Sequence, residues 1–263
     1  MPIDLILVVL SVVTGLVWGL DRLLLAPGRM ETGGSETPTE PVMVEYARTF
    51  FPIVIIVLVI RSFLFEPFRI PSDSMMPTLL DGDFIVVNKF TYGLRLPVLN
   101  TRIVELGQPA RGDVVVFRLP SDPNTNFIKR VVGLPGDQVE YRGKQVFVNG
   151  EHMPNEVNGV YDGPGVNVSA GRSRPRVAEE KLGEVNHEIL LSPVRNGKEG
   201  VFVVPEGHYF MMGDNRDNSH DSRYSGVGFV PEKNLVGKAV RIWMNWNLPH
   251  AAPVWQRIGD QII

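Results

Sequence analysis

Asn126-Phe127-Ile128-Lys129-Arg130-Val131-Val132-Gly133-Leu134-Pro135-Gly136-Asp137 reads as a β-strand that stops at a Pro-Gly turn. Alternate residues of a strand share a face, so Phe127, Lys129 and Val131 look the same way. That face is otherwise apolar, which predicts a buried amine. Out of water the charged amine loses its hydration and its pKa falls. Reaching about 8 from an ordinary value of about 10.4 takes roughly 3 kcal/mol, which burial can supply. A neutral amine beside a serine hydroxyl is a base and nucleophile pair.

The same strand character recurs on both sides. Asp83-Phe84-Ile85-Val86-Val87-Asn88 follows an Asp-Gly turn, and Arg111-Gly112-Asp113 leads into Val114-Val115-Val116-Phe117. Val139 to Val148 alternates around Arg142-Gly143 and runs to Asn149-Gly150, a hairpin signal. Val201 to Val204, His208 to Met212 and Arg241 to Trp246 return to strand pattern. With 26 glycines and 21 prolines the body is expected to be mostly β and rich in turns. Residues 138–200 are expected to leave the main sheet as an inserted subdomain; after its opening hairpin, the polar stretch 151–200 shows only Glu188-Ile189-Leu190-Leu191 as a clear strand.

Ahead of this body lie two apolar segments. Leu5 to Leu20 is uncharged and continues past Asp21 and Arg22 to Ala26, and roughly 20 helical residues cross a ~30 Å hydrocarbon core. A cleaved leader wants a positive start, and the first 20 residues hold no Lys or Arg. A retained transmembrane helix over 1–26 is therefore expected. Thr49 to Phe65 is the second, with Pro52 near its start and Arg61 placed to snorkel to the headgroups. The polar stretch 27–48 joins the two into a hairpin. Arg22, Arg29 and Arg48 lie in or beside it, so the positive-inside rule puts that loop in the cytoplasm and residues 66–263 outside.

The formal net charge of −3 gives no reason to expect a nucleic-acid partner. The absence of cysteine excludes disulfides and thiolate metal sites. The five histidines, His152, His187, His208, His220 and His250, lack metal-ligand spacing, so neither metal nor cofactor is expected.

The hydroxyl partner for Lys129 is sought in Ile70-Pro71-Ser72-Asp73-Ser74-Met75-Met76-Pro77-Thr78-Leu79. Each proline steers the preceding residue away from helix, so the stretch is expected to be extended or turned. In extended backbone Ser72 and Ser74 face one side, with Ile70, Met75 and Leu79 as apolar walls. Taken alone, serines beside prolines are ordinary turn formers. A third stretch, Gly213-Asp214-Asn215-Arg216-Asp217-Asn218-Ser219-His220-Asp221-Ser222-Arg223, crowds acids and amides together. It fails as a calcium loop because Arg216 stands where an acceptor is needed, which leaves a capped loop of Asx turns or a shell orienting a nearby group.

Together the three stretches, in this order and behind a double apolar anchor, closely resemble bacterial type I signal peptidase, the leader peptidase, and Arg111-Gly112-Asp113-Val114-Val115-Val116-Phe117 matches a further segment of that family. The resemblance covers nearly the whole chain apart from the loop and the region after residue 150. It implies that Ser74 is the nucleophile and Lys129 the general base. Ser72 joins the Ser74 N–H in the oxyanion hole, Ser219 hydrogen-bonds and orients the lysine, and Asp221 with Arg223 supports the loop. It implies cleavage after small residues in sites of the Ala-X-Ala type. Substrates would be signal peptides of exported preproteins, bound as an added strand with side chains in pockets for which Ile70, Met75, Leu79, Phe127 and Ile128 are candidate walls. The implied setting is the bacterial inner membrane, in contact with the phospholipid bilayer and in functional association with the secretion translocon. Asp73 and His220 depart from the usual glycine and alanine of the family.

Two other readings compete. A penicillin-binding protein or β-lactamase needs a lysine three residues after its serine, and Pro77 stands there. A membrane-anchored domain that binds exported peptides without cutting them needs none of Ser74, Lys129 and Ser219.

Overall fold

The computed structural model describes residues 3–28, 40–96, 101–164, 173–247 and 252–263. The described residues fall into two units, one formed by those up to Phe65 together with Gly93–Glu105, the other by Glu66–Tyr92 and Leu106–Ile263.

In the first unit, helix α1 (Ile3–Gly28) and helix α2 (Val42–Leu64) are each long and apolar enough to cross a membrane. They form an antiparallel hairpin. Gly15 lies so close to Phe51 that a Cβ there would come within 2.8 Å of the ring. Trp18 packs on the same ring at 5.6 Å between centroids. Arg61 does not simply snorkel: its Nε donates to Asp4 Oδ1 at 3.1 Å, joining the end of α2 to the start of α1. Helix α2 begins at Val42 rather than at Thr49, with Pro41 in extended backbone at its cap. Residues 42–48, expected in the polar loop, are thus helical, and 29–39 of that loop lie outside the described residues.

The strands are β1 (Phe65–Arg69), β2 (Asp83–Asn88), β3 (Leu94–Arg95), β4 (Arg102–Val104), β5 (Val114–Leu119), β6 (Asp122–Gly133), β7 (Gln138–Arg142), β8 (Gln145–Val148), β9 (Glu151–Met153), β10 (Asn155–Val160), β11 (Arg176–Leu182), β12 (Val185–Leu191), β13 (Gly200–Val203), β14 (His208–Met212), β15 (Val230–Pro231), β16 (Leu235–Asn247) and β17 (Ala252–Pro253). The main sheet runs β1-β2-β16-β5-β6-β14-β15, with β17 paired to β16. Strand β6 is interior, which is why both of its faces are apolar. Ile128 packs with Ile70, Met75, Leu79, Val114 and Val116. On the other side Val131 packs with Val115, Phe117 and Met211.

The region 138–200 carries more strand than its composition indicates. It supplies three strands of a four-stranded sheet, β13-β7-β8-β9, whose edge strand β13 follows it, and a three-stranded sheet, β10-β11-β12. Asn149 and Gly150 both take positive φ, 54° and 81°, as the hairpin signal requires. Residues 165–172 of this region lie outside the description. The segment after β16 is not a loose tail: Ile262 joins the core around Ile128, and Arg257 forks onto Asp83.

Candidate active site

The Ser74 stretch is a loop pinched off between β1 and β2. Ile70 N–H donates to Asp83 O at 2.8 Å and Gly82 N–H to Ile70 O at 2.9 Å, so residues 71–81 must double back between those bonds. Of the extended and turned conformations expected, both occur. Ser72 is extended, but Asp73–Met75 form a 3₁₀ turn. The two hydroxyls still converge, Ser72 Oγ lying 3.4 Å from Ser74 Oγ.

Strand β6 delivers Lys129 to this turn. Its Nζ donates to Ser74 Oγ at 2.6 Å and to the carbonyl of Ile128 at 2.9 Å, and it sits 5.4 Å from the centre of the Phe127 ring. The residue is 3% exposed. Burial holds the ammonium pKa down to about 8, and the carboxylates of Asp221 and Asp214 partly oppose the fall. Such an amine is neutral in a substantial fraction of molecules near neutral pH and can take the proton of the hydroxyl it faces.

The third stretch wraps the other side. Asn215 N–H donates to Ser74 O at 3.1 Å, and its side-chain amide donates to Asp73 O at 3.0 Å. Asp214 is buried and forks onto Arg130, with Nε to Oδ1 at 2.8 Å and Nη2 to Oδ2 at 2.7 Å. Burial alone would raise its carboxyl, but Arg130 and the Thr78 hydroxyl outweigh burial and leave it lowered. Asp221 and Arg223 form a fully buried fork, and Asp221 also accepts the Gly213 N–H at 3.0 Å.

Ser219 is where the expectation and the structure part. Its Oγ is buried but makes no hydrogen bond, neither to Lys129 nor to any other described group. It stands against Gly213, where a Cβ would collide with both Ser219 Oγ and the Ser74 carbonyl. The expected pocket walls also divide. Ile70, Met75, Leu79 and Ile128 share one cluster, while Phe127 lies on the opposite face of β6 beside Phe117. Met75 and Leu79 are 0% exposed, so they are core beneath the site rather than surface lining a cleft. His220 is exposed and stacks on Tyr224. At Asp73, burial and the nearby Asp81 carboxylate raise the pKa.

Several participants had no individual reading in the sequence. Thr78, Arg130, Asp214 and Asn215 lie inside the quoted stretches, yet their contacts span the chain. Glu180 of β11 forks onto Arg216, and His187 of β12 lies 3.3 Å from Glu180 and 3.9 Å from Asp214. Among the described residues no three His, Asp or Glu side chains are grouped to hold a metal ion.

A profile of the family described as signal peptidase, peptidase S26, matches residues 43–244. The chain belongs to this signal peptidase family. Within it, the "Signal peptidase I" of Pseudomonas fluorescens is 48% identical over 282 aligned residues, covering 97% of either chain. That of Pseudomonas aeruginosa is 46% identical with the same coverage. A crystal structure of a signal peptidase I from Enterococcus faecalis is 30% identical and covers 50% of this chain and 96% of that one, at a TM-score of 0.30. That superposition is too loose to bear on the fold, which is defined by the strand pairing above. The signal peptidase family match spans all three stretches that build the site, from Ser72 to Arg223.

Proposed function

We propose that this chain is a membrane-anchored serine endopeptidase that removes N-terminal signal peptides from exported preproteins. The observation that carries the reading is the 2.6 Å hydrogen bond between Lys129 Nζ and Ser74 Oγ inside an apolar setting. Family membership and the names of its relatives supply the substrate class.

In this reading neutral Lys129 takes the Ser74 proton as Oγ attacks the scissile carbonyl. The Ser72 hydroxyl and the Ser74 N–H stabilise the oxyanion, each such donor typically lowering the barrier by about 3 kcal/mol. Lys129 then returns the proton to the leaving amine, and water resolves the acyl-enzyme. In this reading Ser219, whose buried Oγ makes no hydrogen bond to any described group, turns to orient the lysine once substrate fills the site. The substrate binds as an added strand with small residues at the first and third positions before the cut, and Ile128, the least buried of the four clustered candidates, is the proposed wall.

The hairpin α1–α2 anchors the protein in the bacterial inner membrane, with the β unit on the outer side where substrates emerge from the translocon. Trp243 and Trp246 are both more than a third exposed, which supports contact of this unit with the outer leaflet.

The test is cleavage of a preprotein bearing an Ala-X-Ala site by detergent-solubilised wild type, Ser74→Ala and Lys129→Met. Wild type should cut after the last alanine, and both folded variants should be inactive. Near-normal turnover by Lys129→Met would place the base elsewhere. Binding without cutting by wild type would move the peptide-binding reading ahead.

A further inference from the structure

The hairpin β11–β12 lies outside the main sheet and contributes no group to the Ser74–Lys129 contact. It nevertheless sends a fully buried carboxylate, Glu180, into the loop that closes the site. Both Glu180 oxygens engage Arg216, Oε1 accepting from Nη1 at 2.6 Å and Oε2 from Nη2. Burial alone would push the Glu180 pKa up, but Arg216 and His187 outweigh it and hold it at about 2, so the pair is ionic at any working pH.

Arg216 is gripped at its other end as well. Its carbonyl accepts from Arg223 Nη2 at 2.5 Å, and its N–H donates to Asp214 O at 3.0 Å. One residue earlier, Asn215 holds the Ser74 carbonyl and the Asp73 carbonyl. Besides the approach of His187 to Asp214, the hairpin and the residue that follows it touch the loop again. Leu190 N–H donates to Asp214 O at 2.9 Å, with Leu190 bridged to Asn215, and Ser192 N–H donates to Asp217 Oδ2 at 2.8 Å. Each of these contacts therefore ends at Asn215 or within two residues of it.

We infer that Glu180 is a positioning residue of the proposed peptidase: acting through Arg216, it sets the place of Asn215 and hence of the Ser74 backbone. The inference rests on the peptidase reading above. A buried ion pair is weak evidence of stabilisation in itself, because desolvation offsets much of the attraction. What this one provides is a planar, two-point fork that fixes the orientation of a loop. A displacement of order 1 Å at a reacting group is enough to cost about a hundredfold in rate.

The experiment compares full-length wild type, Ser74→Ala and Glu180→Gln in detergent, each assayed well below its own melting temperature. Wild type should cleave the preprotein and Ser74→Ala should not; a wild type that does not cut takes down both the peptidase reading and this inference. Folded Glu180→Gln should lose about tenfold to a hundredfold in kcat with KM within about twofold. Acylation of Ser74 by a serine-directed covalent probe should slow in parallel. Wild-type kcat in folded Glu180→Gln, or a defect confined to KM, overturns the inference and leaves the peptidase reading standing. If Glu180→Gln does not fold, Glu180→Leu/Arg216→Met removes both charges at similar volume. Loss of kcat in that folded protein supports the assignment, and retention of wild-type kcat overturns it.

Discussion

The Thr78 hydroxyl donates a 2.6 Å hydrogen bond to Asp214 Oδ2 across 136 residues of sequence. The same carboxylate takes both the Nε and Nη2 of Arg130, the residue after Lys129. One buried acid thus ties the turn that carries Ser74 to the strand that carries Lys129. Thr78→Val keeps the shape but removes a donor to a charged acceptor, worth about 1.5–3 kcal/mol. The variant should melt lower and lose roughly tenfold in kcat, a few tenths of an ångström of slack being costly at a reacting pair. Thr78→Ser should keep both. Equal kcat in the two variants, measured by initial rates, would mean that Asp214 does not hold the turn.

Lys129 is charged in the unfolded chain up to pH 10.5 but in the folded chain only up to about 8. Folding therefore works against the protonated lysine. The penalty is full below about pH 8 and fades as pH rises toward 10.5. Its size is roughly 3 kcal/mol, less about 1 kcal/mol for the bond to Ser74. Lys129→Met should be inactive yet melt higher than wild type at pH 7, with the advantage vanishing near pH 10.5. A melting temperature at pH 7 equal to or below that of wild type would show that the lysine carries no such strain.

The same pKa predicts the pH profile. Only the neutral amine accepts a proton, so kcat/KM should rise with pH and level off above about 8. Asp221 and Asp214 hold that value up. Asp221→Asn removes a negative charge and leaves Arg223 uncompensated, and both effects disfavour the ammonium. Its acid limb should move to lower pH, in a less stable protein. A limb that stays put or moves up would detach the rate from Lys129.

How far the sequence could be read follows from the range of the forces involved. Alternation in β6 is a local pattern, and it exposed Lys129 as a buried amine because an interior strand must be apolar on both faces. The apolar cores of α1 and α2 were equally plain. The first turns of α2 were not, because Glu45 and Arg48 make residues 42–48 look like loop while a helix needs no hydrocarbon there. The 3₁₀ turn at Ser74 is imposed by the closure of Ile70 against Gly82 and Asp83, which local preference between prolines cannot see. Glu180 was hidden for the opposite reason. In Arg176-Val177-Ala178-Glu179-Glu180-Lys181 it looks like one more solvated charge, and only its partner, 36 residues on, buries it.

Gly213 offers the sharpest steric test. No positive φ requires glycine there. Space does, because a Cβ would strike Ser219 Oγ on one side and the Ser74 carbonyl on the other. The Ser219 hydroxyl can rotate away but its Cβ, 2.6 Å from the added carbon, cannot, and the Ser74 carbonyl is backbone held by Asn215. Gly213→Ala should therefore displace the Ser74 turn, costing about 1–3 kcal/mol in stability and on the order of a hundredfold in kcat. Gly159→Ala, where no heavy atom lies within 4 Å of the added carbon, is the matched control and should leave kcat unchanged. Thermal melts and initial rates of both variants check this. Adding Ser219→Gly to Gly213→Ala removes both the Oγ and the Cβ contacts of residue 219: it should restore nothing if the carbonyl is the obstacle, whereas recovery of stability would assign the clash to the Ser219 side chain and leave the Ser74 backbone free of Gly213.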